Sequence, residues 1–72
     1  MDIYNRYLMR PSGERKHQAQ TAPESATFAV MDLLRSEEKL PAGWDQMGET
    51  ERNKLMEKMC DYISRSIEDF RP

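Results

Sequence analysis

A chain of 72 residues with 38% hydrophobic content and a formal net charge of −2 holds at most one small core, worth only a few kcal/mol beyond its ordering entropy. That argues against a catalytic pocket, which needs a rigid doubled shell of support, and a single cysteine leaves no internal disulfide to replace the missing core. No charged segment with an apolar stretch behind it opens the chain, and no apolar run approaches the ~20 residues that span a bilayer, so the expectation is a reduced cytoplasmic protein with no membrane contact.

Charge is placed unevenly. Residues 1 to 20 carry Arg6, Arg10, Arg15 and Lys16 against Asp2 and Glu14, whereas residues 21 to 72 carry seven basic and eleven acidic side chains. A weakly basic arm precedes an acidic body. Four diluted cations make a poor phosphate-binding stripe.

The first segment, MDIYNRYLMR, offers Asp2 as an N-cap and then Ile3, Tyr4, Tyr7 and Leu8 at the spacing of one helix face. Two turns are marginal in water, so this helix needs a support. Residues 11 to 20 contain Pro11 and Gly13 and no large apolar side chain, the composition of a flexible linker. Two units are therefore expected: residues 1–20, a short helix with a basic linker, and residues 21–72, a helical hairpin.

The first main helix opens at Thr21, with Pro23 in its first turn and Glu24 placed for a capping box, and runs to about Lys39 because Pro41 cannot continue it. At 100° per residue, Ala22, Ala26, Ala29, Val30, Leu33 and Leu34 share an arc about 140° wide. This arc is the predicted core face. Phe28 and Met31 fall outside it, bordered by Asp32 and Arg35.

The connector LPAGWDQMGE mixes chain breakers with Trp44 and Met47, which suits a loop folded back with Trp44 as a lid. Asp45 is a possible early start for the next helix. The second main helix, about 50–70, sets Leu55, Met56, Met59, Cys60, Tyr62, Ile63, Ile67 and Phe70 in an arc about 160° wide. That is wider than one neighbour covers, since a paired seam uses only a narrow stripe. The opposite face, with Lys54, Glu57, Lys58, Asp61, Arg65 and Glu68, reads as a solvated surface supported by the Asp61/Arg65 pair at i, i+4.

Chemistry is sparse. Cys60 with His17 is the sole nucleophile and base combination, with no third group to orient it. His17 has no neighbouring ligand for a metal, the adjacent acids Glu37/Glu38 and Glu68/Asp69 diverge on a helix and share no proton, and Gly13, Gly43 and Gly48 form no phosphate loop. The sequence predicts no enzyme, no cofactor and no metal site.

The all-α fold predicted is a helical hairpin with a short N-terminal helix, dimerising into a four-helix arrangement that uses the spare arc of the second helix. The function expected is that of a small protein-binding regulator or inhibitor, of the kind phages and mobile elements encode, with another protein as partner beside the homodimer. The expected contact surface is Tyr4, Tyr7, Phe28, Met31, Asp32 and Arg35, with Tyr62 and Met56 as the lesser candidate. The alternative is a nucleic-acid-associated dimer with a basic N-terminal arm.

Overall fold

The computed structural model describes residues 2–9 and 21–70. Three α-helices and one short 3-10 turn make an all-α unit, with no strand among the described residues. The linker expectation for residues 11–20, and His17 with it, lies outside the described residues.

Helix α1, Ile3–Leu8, begins where Asp2 stands extended and its carboxylate accepts from the Asn5 backbone N–H at 2.9 Å, satisfying one of the orphan donors of the first turn. Helix α2, Ala22–Ser36, starts on Thr21, whose hydroxyl accepts from Glu24 N–H at 3.3 Å. It stops three residues before the expected Lys39. The cause lies upstream of Pro41: Glu38 takes a left-handed conformation with φ 56, Glu38 N–H bonds to the Arg35 carbonyl at 3.2 Å, and Lys39 N–H reaches the Leu34 carbonyl at 2.8 Å. Those two bonds form a Schellman ending that closes the last turn.

Gly43, at φ 82, then admits the 3-10 turn Trp44–Gln46, a backbone position that glycine takes without steric cost. Met47 is extended and Gly48 caps helix α3, Glu49–Asp69. Asp45 thus belongs to the separate short turn and not to an early start of α3. Glu49 and Glu51 in the first turn of α3 suit its positive dipole end.

The core consists of Ile3, Tyr4, Tyr7, Phe28, Met31, Trp44 and Met56, with Leu40, Met47, Leu55, Met59 and Cys60 packed around it. Three of the seven come from α1, so the boundary expected at residue 20 does not divide the core. Trp44 is buried, as a lid would be.

The predicted core face of α2 is overturned. Glu24, Thr27, Phe28 and Met31 face inward, while Ala22, Ala29, Val30 and Leu33 are exposed and Ala26 and Leu34 half-buried. Counting apolar positions gave alanine the weight of phenylalanine. Burying a large side chain is worth about 1.5–3 kcal/mol, against about 0.8 kcal/mol for one methyl, and Phe28 also meets the Tyr7 ring at 5.4 Å. Thr27 can join that interior because its hydroxyl donates to the Pro23 carbonyl at 2.8 Å, leaving no unmade bond.

Helix α3 buries less than its arc promised. Met56 is its one buried residue; Tyr62, Ile67 and Phe70 remain 69%, 43% and 87% exposed. The core ends before the helix does.

Candidate functional site

The structure gathers the expected contact residues into one neighbourhood, but most of them lie inside the protein. Tyr4, Tyr7, Phe28 and Met31 are buried, so none offers a surface while α1 is docked. Asp32 and Arg35 sit at the rim: Asp32 accepts from the Tyr7 hydroxyl at 2.9 Å, and the Arg35 guanidinium lies 5.4 Å from the Tyr7 ring centre. A two-turn helix needs apolar cover on its inner face, and that requirement consumes the patch. Met56, half of the lesser candidate pair, is also core; Tyr62 is exposed.

Arg52 is the fastener that sequence reading passed over. Its Nε donates to the Trp44 carbonyl at 3.0 Å and its NH1 to the Tyr4 hydroxyl at 2.9 Å, while the guanidinium lies 5.1 Å from the Trp44 ring and 5.9 Å from the Tyr4 ring. One planar cation thus holds α1, the connector and α3 together. Asn53 beside it accepts from the Tyr4 backbone N–H at 3.1 Å, satisfying an orphan donor of α1. An Arg-Asn pair eight residues beyond a tryptophan carries no signal that local pattern reading detects.

Beside this joint a groove of about 750 Å³ opens between α1, the start of α2 and the second half of α3. Ile3, Ala22, Pro23, Cys60 and Ile67 supply its apolar lining, and Asp2, Glu57, Asp61 and Glu68 its carboxylates. Arg6 and Glu24 also line it and form an ion pair across α1 and α2. Glu57 accepts from the Asn53 side chain at 3.0 Å and Asp61 pairs with Arg65 at 2.7 Å. So part of the face read as simply solvated forms one wall of a cleft. Its signal was present in the i, i+3, i+4 spacing of Glu57, Cys60 and Asp61, which places an apolar residue between two acids on one strip.

Cys60 is a free thiol, half-buried in that groove. Among the described residues no three His, Cys, Asp or Glu side chains converge as metal ligands, and no helix there is long and apolar enough to cross a membrane. Compared with protein-family models, curated proteins and solved structures, the chain matches none of them.

Proposed function

We propose that the chain is a non-catalytic protein-binding module, acting as a regulator or inhibitor through apolar helical surface. The supporting observation is that, among the described residues, as many large apolar side chains stay exposed as are buried: Leu8, Met9, Val30, Leu33, Tyr62, Ile67 and Phe70 against the seven of the core. Exposed apolar area in contiguous strips marks binding surfaces. The contact role expected for Tyr4, Tyr7, Phe28 and Met31 passes in this reading to the outer strips of α2 and α3, with Asp32 and Arg35 at the edge of the first.

The outward face of α2 favours self-association as well. Ala22, Ala26, Ala29 and Leu33 recur at intervals of four, three and four residues, the spacing of a helix-pairing seam. Two copies meeting through α2 would place α3, α2 and their counterparts side by side, a four-helix homodimer. The acidic body disfavours the nucleic-acid alternative, since carboxylates repel phosphates.

Sedimentation equilibrium tests the dimer and binding to an immobilised chain tests the partner. The expected result is an association that Leu33→Arg abolishes and a captured protein that Tyr62→Ser with Phe70→Ser releases. A monomer at high micromolar concentration, together with capture unchanged by these surface variants, overturns the proposal. Duplex binding that falls steeply with salt would favour the nucleic-acid reading.

A further inference from the structure

We propose that the seat of α1 is an interaction site between two copies of this chain: it accepts α1 from a second copy, so that two chains exchange residues 2–9 and each completes the core of the other. The exchange does not depend on the α2 seam. Among the described residues, α1 is fastened by bonds to partners 18 to 49 positions away in the sequence. The Tyr4 backbone N–H donates to Asn53 at 3.1 Å, Arg52 donates to the Tyr4 hydroxyl at 2.9 Å, the Tyr7 hydroxyl donates to Asp32 at 2.9 Å, and Arg6 pairs with Glu24. Not one of these bonds involves the stretch that joins α1 to α2, so α1 of a second copy makes the same set unaltered.

Neither half holds without the other. Helix α1 supplies Ile3, Tyr4 and Tyr7 to a core whose Phe28, Met31 and Met56 are wholly buried, so a body without α1 turns apolar surface to water, and six residues do not keep a helix alone. Either chain can supply the missing half. Residues 10–20 include Pro11 and Gly13 and no large apolar side chain, and the twelve steps from Met9 to Thr21 extend to at most about 40 Å, beyond the 27 × 26 Å cross-section of the molecule. The bonds are identical in both arrangements, so chain linkage decides between them. A link of that length holds α1 near its own seat at an effective concentration on the order of millimolar. The helix therefore stays at home at micromolar concentration, and it exchanges when chains refold together at millimolar concentration or when the home pairing is damaged.

The test is complementation between two full chains. One, ¹⁵N-labelled, carries Tyr4→Ala with Tyr7→Ala, which spoils its α1 and leaves its seat intact; the other, unlabelled, carries Phe28→Ala with Arg52→Ala, which spoils its seat and leaves its α1 intact. Each alone is expected to lose cooperative unfolding. Refolded from urea as an equal mixture, the labelled chain is expected to regain dispersed amide signals at Trp44 and Asn53, a melting midpoint that rises with the concentration of its complement, and the sedimentation mass of two chains. A labelled chain that is unchanged at every concentration of its complement overturns the proposal, and so does equal rescue by a second chain bearing all four substitutions, since α1 is then not the element exchanged. The unsubstituted chain gives a readout that needs neither variant: half ¹³C-labelled and half unlabelled, refolded at millimolar concentration, it is expected to show nuclear Overhauser contacts between Tyr7 and Phe28 of different chains, lost on refolding at micromolar concentration and retained with Leu33→Arg. Absence of those contacts at millimolar concentration, or their loss with Leu33→Arg, overturns the exchange; a dimer that Leu33→Arg dissolves leaves the self-association through α2 standing.

Discussion

Along the first half of α3, Arg52, Asn53 and Met56 each engage another element: Arg52 holds Tyr4 and the Trp44 carbonyl, Asn53 receives the first turn of α1, and Met56 is fully buried between helices. Along the second half, Tyr62, Ile67 and Phe70 continue the apolar side of the same helix with nothing in the described chain to cover them fully. The same amphipathic pattern therefore yields core at one end and surface at the other. What differs is the supply of partners. The helix α1 has six residues and α2 fifteen, against twenty-one in α3, and the aromatic side chains of α1 and the connector are spent on the first half. Periodicity states which side of a helix is apolar; the reach of the neighbouring elements determines how much of it is core.

The sharpest way to break this comparison is Phe28→Ala, which removes the ring that α1 covers. Deleting a fully buried phenylalanine costs about 3–5 kcal/mol, as much as a domain of this size has in hand. Loss of cooperative thermal unfolding by circular dichroism is expected; a folded variant with an unchanged melting temperature would show that the joint around α1 is not the core.

Arg52→Ala strikes the clamp of the first half. Losing two hydrogen bonds from a charged donor and its ring stacking should destabilise by about 1.5–3 kcal/mol, read in urea unfolding, with Trp44 emission shifted to the red as its cover loosens. Arg52→Lys should recover little, because an ammonium cannot reproduce the planar fork. Full recovery by lysine would reduce the clamp to a point charge.

A smaller effect of opposite sign belongs to the end of α2. Glu38 adopts φ 56, a conformation costing a non-glycine residue about 1–2 kcal/mol, so Glu38→Gly should stabilise by about 1 kcal/mol after the greater backbone freedom of glycine in the unfolded chain is counted. Destabilisation in urea would mean that the Glu38 side chain holds the turn.

The least effect is expected at the open half of α3. In dilute solution Ile67→Ser and Phe70→Ser should each change stability by less than about 0.5 kcal/mol. If either lowers the urea midpoint as Arg52→Ala does, the second half of α3 is covered in solution and the contrast between the two halves fails.

Much of the helical scaffold was legible in the residues alone. Asp2 and Thr21 cap α1 and α2 as their side chains predict, α3 spans Glu49–Asp69 against an expected 50–70, and Asp61 bonds Arg65 across one turn. These are local effects, set by groups within four residues of one another. The early stop of α2 is local too, but it depends on Glu38 accepting a left-handed conformation that its residue type does not advertise. Which face of α2 turns inward was beyond local reading. The alanine-rich arc and the Phe28/Met31 side are both apolar enough to bury, and the choice followed from Tyr7 arriving over Phe28 from a helix distant in the sequence. The same holds for the groove: its lining comes from three separate helices, and Glu57, Asp61 and Glu68 become a wall only when α1 and the start of α2 stand opposite them. Helix ends and single-turn pairs follow from sequence because their energies are settled within one turn, whereas faces and clefts depend on contacts whose closure entropy and packing are shared by the whole chain.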